Sequence, residues 1–249
     1  MSLTLYMLNT AQPVTVPFKY PFISMNNKPH LHRCVLMDQL AKYNLIDRGA
    51  ISWQESGYAS EQLAPGDLPS RSRGHVFQYW KPVKKILDQA YADNTNLIHE
   101  LPVEYRSSFM QVVAESTERT FVITEKASTP LFMKKPFLVL ASPGYHHSMA
   151  LTYGFVKYDE LFDYSFDSVP DLTTRAAGLV DNVRRVSELS PDEQEYWYNR
   201  LLPKLEFNAA LARSICVNKN NIPPLMSETR NSQYAEAELI QFIEAQHGI

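Results

Sequence analysis

Cysteine is almost absent: Cys34 and Cys216 are the only two, far apart and without CxxC spacing. Thiolate metal centres and a disulfide framework therefore drop out, and a reducing compartment becomes the default expectation. Glycine is scarce as well, with eight scattered through 249 residues. The phosphate-cradling loop GxxxxGK[ST], the dinucleotide fingerprint GxGxxG and the hydrolase elbow GxSxG all need glycines at fixed positions, and none of the three occurs. Kinase-like, NAD-dependent and serine-hydrolase chemistry lose their usual signatures, and Ser142 in "ASPG" reads as a turn residue. No charge of one sign dominates either. With 24 basic and 27 acidic residues the formal charge is -3, so no global field draws the chain to nucleic acid or an anionic membrane. Any site for a polyanion has to be local. No apolar run approaches the roughly 20 residues of a membrane span, and the start lacks the basic-then-apolar pattern of a signal peptide. The expectation is a soluble, cytoplasmic protein with no membrane span.

What the chain does contain is alternation of strand and helix patterns. "LTLYMLN" and "FISMN" read as strands, and "HLHRCVLMDQLAKYNL" (30–45) as a helix with Leu36 and Leu40 at helical spacing. "DRGAISW" then supplies a turn and a strand. Residues 54–74, rich in serine, proline and glycine, read as a long loop or lid. Beyond it "KPVKKILDQAYAD" suggests a helix, "SFMQVVAES" a strand, "TFVITEK" a short strand-like edge, "PLFMKK" a helix and "PFLVLAS" a buried strand. "YHHSMALTYGFVKY" fits a short helix closed by Gly154 and followed by a strand. Helices follow from about residue 171, the longest capped by Ser190 with Pro191 in its first turn, and "QYAEAELIQFIEAQHG" reads as a final amphipathic helix. The expected architecture is one α/β domain over 1–249, a Rossmann-like parallel sheet with helices on both faces. Such sheets bind ligands beyond the carboxyl ends of their strands.

Several clusters compete for a functional role. His30, His32, His146 and His147 suggest a metal cluster only weakly, because i,i+2 spacing on a helix points side chains apart. Asp159, Glu160, Asp163 and Asp167 in "DELFDYSFD" form either a cation site or a solvated acidic loop, and no calcium-loop spacing is present. Arg71, Arg73, Lys81, Lys84 and Lys85, interleaved with Phe77, Tyr79 and Trp80, suit a nucleic-acid backbone with stacked bases or, equally, a solvated lid and helix face. The sharpest signal is "TEK". At a helix start, Lys126 can neutralise a pyrophosphate while Glu125 accepts ribose hydroxyls; the bland alternative is a surface ion pair.

"FVITEKASTPLFMKKPFLVLASPG" (121–144) resembles the donor-binding motif of alpha-1,3-fucosyltransferases, in which Thr-Glu-Lys opens a helix and a strand ending in Gly-Ser-Pro follows. The chain also resembles short phage and giant-virus glycosyltransferase-like proteins. There an acid-serine pair, here Glu115-Ser116, precedes the TEK, a segment like "SMNNKPHLHR" (24–33) lies upstream, and one like "YDELFDYSFD" (158–167) lies downstream. The resemblance spans about residues 20–215. It departs at Ala141-Ser142-Pro143, where the family has glycine first, at Pro130 inside the helix, and in having no room for an amino-terminal acceptor domain.

That resemblance implies the donor-binding half of a two-domain GT-B glycosyltransferase. Arg33 and Lys126 would bind the donor diphosphate and Glu125 its ribose, with Asn26, Glu115 and Tyr145 lining the pocket. Arg33, Glu115 and Lys126 are the expected catalytic set, with Glu115, Glu118 and His146 as candidate bases. The implied reaction moves fucose or another hexose from a GDP- or UDP-sugar to a glycan or to a modified base of phage DNA. Two fixed cations take the role of a metal, so no cofactor is required. A viral origin would place the protein in host cytoplasm, as a monomer or a homo-oligomer. The alternative is a non-catalytic nucleotide-sugar-binding module or subunit.

Overall fold

The computed structural model of the chain describes residues 14, 16–26, 30–53, 77–81, 85, 87 and 101–217. Among them the elements run β1 (Tyr20–Asn26), α1 (Leu31–Lys42), β2 (Ala50–Trp53), α2 (Val103–Arg106), β3 (Ser108–Ala114), α3 (Glu125–Phe132), β4 (Phe137–Leu140), α4 (Tyr145–Tyr153), α5 (Leu172–Glu188) and α6 (Pro191–Val217). The four strands form one sheet in the order β2-β1-β3-β4, parallel at every pairing. The α/β parallel architecture expected from the sequence is therefore present.

Both faces of the sheet are covered, for reasons visible in the strands themselves. All seven residues of β3 are buried, which requires packing on either side. In β1, successive side chains point to opposite faces, and Phe22 and Ile23 accordingly enter two separate apolar clusters. The crossovers β1-α1-β2 and β3-α3-β4 step outward in opposite directions from the centre, so right-handed connections put α1 and α3 on opposite faces. Helix α5 packs on α1, and α6 on α3. This arrangement makes the carboxyl ends of β1 and β3 a topological switch point, the place where open α/β sheets have their ligand crevice.

Local chemistry sets the element ends. Thr124 caps α3 by accepting the Lys126 N–H at 3.4 Å, and Asp171 caps α5 by accepting the Thr174 N–H at 2.8 Å. Ser190 and Glu193 exchange bonds in a capping box before α6. Gly154 closes α4 at φ 81°, in the left-handed region that favours glycine. The buried Asp38 of α1 accepts the backbone N–H groups of Gln78, Tyr79 and Trp80 and fastens that segment over Trp53, 5.0 Å from the Trp80 ring.

Two expected strands are corrected. Residues 121–124 are irregular, because β3 ends at Ala114 and Thr124 is committed to capping α3. The stretch after Gly154 is irregular as well: its backbone is held by side chains, with Asn208 bonding both the N–H and the carbonyl of Val156. Pro130 lies within α3 without preventing it, since the helix ends only two residues later at Phe132. The expected strand at 3–9, the 54–74 lid, Arg71, Arg73, Lys84 and the final amphipathic helix lie outside the described residues. No described helix is long and apolar enough to cross a membrane.

Candidate functional site

The switch point gathers residues from five elements. Asn26 ends β1, Arg33 lies in the first turn of α1, Glu115 follows β3 directly, Glu125 and Lys126 open α3, and Tyr145 opens α4. All six side chains named from the sequence thus stand at one edge of the sheet. The TEK triplet reaches that edge from the start of a helix, ten residues past the end of its strand.

Glu115 is the joint of the site. It is fully buried, and its carboxylate accepts the Ser116 N–H at 2.6 Å, the Thr124 N–H at 2.7 Å and the Thr124 hydroxyl at 2.6 Å. These bonds fold the 115–124 loop back on itself and set the entry angle of α3. Ser116 in turn receives a bond from Lys126 Nζ at 3.2 Å, while Lys126 also pairs with Glu125. Arg33 is buried beside Glu115 and Glu125; burial lowers its guanidinium to about 10, against the pull of those two carboxylates, and it stays charged at neutral pH. Burial opposes ionisation of Glu125, but the Lys126 ammonium outweighs it and holds the carboxyl below its usual range. Burial and Glu115 together push the Tyr145 hydroxyl well up, so it stays a protonated phenol. Asn26 donates to Ser24 Oγ at 3.1 Å, and its buried Oδ1 has no partner.

His32, which the sequence suggested only weakly as a metal ligand, is a further member of this site. Its ring is fully buried, with Nε2 donating to the Glu115 carbonyl at 2.5 Å and Nδ1 3.1 Å from Glu118 Oε2. The contact with His32 holds the Glu118 carboxyl down at about 2. The expectation that His30 and His32 diverge is corrected: their rings stack at 5.9 Å, because His30 precedes the helix in extended backbone. Nothing in a single sequence signals the His32–Glu115 bond, which joins residues 83 apart.

Other candidates have structural roles. The His146 Nδ1 lies 2.8 Å from Asp167, and its Nε2 accepts the Val139 N–H at 3.0 Å, so both ring nitrogens are engaged. Asp167 also accepts the N–H groups of His146 and His147 and thereby fills the amino end of α4. Glu160 pairs with Lys204 at 2.7 Å, Asp159 with Lys157 at 3.2 Å, and Asp163 accepts the Ser165 N–H at 2.8 Å. The four acids of that segment therefore face separate partners, and no group of three His, Cys, Asp or Glu side chains suited to a metal occurs among the described residues. Lys85 exchanges backbone bonds with Trp53 rather than lining the switch point.

Chemically, the arrangement offers two cations from different helices, each already beside a carboxylate. An anion entering the crevice would meet Lys126 after displacing the half-exposed Glu125 side chain, and Arg33 is preset by burial. Comparison with known proteins adds no relative: no family model matches the chain, nor does any curated protein or solved structure.

Proposed function

We propose that the protein is a nucleotide-sugar-dependent glycosyltransferase whose donor diphosphate lies in the β1/β3 crevice between Arg33 and Lys126. The observation that carries this reading is that two cations 93 positions apart in sequence share the carboxylate Glu125, with Glu115 beside Arg33 as well, at the switch point of a parallel sheet. In the reaction the anomeric C–O bond to the diphosphate breaks, and the leaving group takes the electron pair. A new anomeric C–O bond then forms to an acceptor hydroxyl, whose proton passes to solvent water. Arg33 and Lys126 stabilise the charge that grows on the leaving diphosphate, and Glu125, once released from Lys126, accepts the ribose hydroxyls. The resemblance to the donor-binding half of fucosyltransferases, GDP- or UDP-sugars as donors, and glycan or phage DNA as acceptor belong to this proposal.

One observation favours the second reading, a module that binds the donor without turning it over. Each candidate base is already occupied: Glu115 by three donors, Glu118 by His32 and His146 by Val139 and Asp167. Calorimetric titration with GDP and UDP, paired with a donor-hydrolysis assay, separates the two. Lys126→Ala and Arg33→Ala are each expected to weaken nucleoside diphosphate binding by about tenfold to a hundredfold. Unchanged affinity in both variants overturns the reading. Binding with neither hydrolysis nor transfer to glycan or DNA selects the module.

A further inference from the structure

We infer that His32 is a positioning residue of the diphosphate site, a bridge that locks the Arg33 helix to the wall carrying Lys126. The inference rests on the function proposed above. It starts from the placement of the two cations. Arg33 belongs to α1, Lys126 to α3, and the two helices stand on opposite faces of the sheet. Bidentate or paired contact with one diphosphate tolerates little error in their separation, so some group has to fix one helix against the other.

His32 is the residue in place to do this. It immediately precedes Arg33, and its fully buried Nε2 donates to the carbonyl of Glu115. That residue's carboxylate holds Thr124 at the cap of α3, and the next residue, Ser116, receives the Lys126 ammonium. The path from one cation to the other is thus Arg33, His32, Glu115, then either Thr124 or Ser116, then Lys126. Each link is a covalent neighbour or a hydrogen bond. The Nδ1 side lies 3.1 Å from a Glu118 carboxylate oxygen, at the far end of the same turn.

The two nitrogens can be tested separately, because a glutamine amide reaches roughly where Nε2 sits and an asparagine amide where Nδ1 sits. His32→Gln keeps a donor for the Glu115 carbonyl, His32→Asn keeps only the Glu118 side, and His32→Leu keeps neither. GDP and UDP affinity is measured by calorimetry for each, alongside the urea unfolding midpoint. His32→Leu and His32→Asn are expected to bind at least about tenfold more weakly, with His32→Gln within about threefold of the wild type. Hydrogen exchange at Ser116 and Thr124 in the ligand-free protein is expected to accelerate in the first two and stay slow in the third. Wild-type affinity in His32→Leu overturns the inference alone. So does an equal loss in Gln, Asn and Leu variants that follows the unfolding midpoint, which marks His32 as a core residue only. Failure of the wild type to bind either nucleotide overturns the proposed function and the inference with it.

Discussion

Alanine at position 115 is expected to lower the unfolding free energy by about 3–5 kcal/mol, the range for removing one partner from a buried charge network. Glu115 is fully buried, and its loss strands the Ser116 N–H and both Thr124 donors while leaving the buried Arg33 guanidinium short of one counter-charge. Hydrogen bonds to a charged group are the stronger kind, so the penalty exceeds that of a neutral cap. Glu115→Gln keeps one acceptor oxygen, which serves either the Thr124 N–H or the Ser116 N–H and Thr124 hydroxyl, and turns its amide toward the rest, so it should lose less than alanine. Urea unfolding of the three proteins measures the series. A loss below about 1 kcal/mol in Glu115→Ala would show that the loop and α3 are held by something else.

The second large effect lies at the opposite end of the sheet. Lys135 is fully buried; its ammonium donates to the Ser108 carbonyl and sits 5.0 Å from the centre of the Tyr105 ring. Desolvation lowers its pKa to about 7. Between that value and the unfolded-state value near 10.4, the unfolded chain binds more protons than the native one, so this group makes stability rise with pH. Below about pH 7 the penalty for burying the charge is present in full, of the order of 5 kcal/mol for a shift of this size. Lys135→Met fills similar volume without the charge and gives up the bond to Ser108. At pH 6 it is expected to be more stable than the wild type by about 2–4 kcal/mol after the lost hydrogen bond is subtracted. The gap should close as pH approaches 10. Comparing variant with wild type at each pH cancels other alkaline titrations, Cys34 among them, whose thiol burial pushes up to about 12. A gap of constant size from pH 6 to 10 would show that the ammonium carries no penalty.

How much of this was legible in the sequence differs element by element. β1, β3 and β4 were readable because "FISMN", "SFMQVVAES" and "PFLVLAS" are short apolar runs with polar or breaker residues at their ends, and α6 because its cap, Ser190, is a local signal. The error at 121–124 has a physical source. "FVIT" has strand propensity, but its position is decided by Glu115, nine residues before Thr124, whose carboxylate takes up the backbone donor there. For the site, motif resemblance pointed to the residues that the fold brings to one edge. Glu115 was expected among the catalytic residues, and its carboxylate accepts three hydrogen bonds from the 115–124 loop. His32 suggested only a weak metal cluster because its role depends on a contact 83 residues away, and Lys135 went unassigned because burial of a lysine leaves no mark in the sequence around it.

The two outer strands also bear on how copies of the chain can associate. An open sheet edge offers unpaired backbone groups to any other strand, and a four-stranded parallel sheet has two such edges. On β4 the outward-facing N–H of Val139 is taken by the His146 imidazole, and on β2 Trp53 already exchanges both of its backbone bonds with Lys85. Each edge is therefore interrupted at its carboxyl half by a group from the same chain. Extension of the sheet from one molecule into the next is blocked at those positions, so a shared β-ladder along the described strands cannot run the full length of either edge.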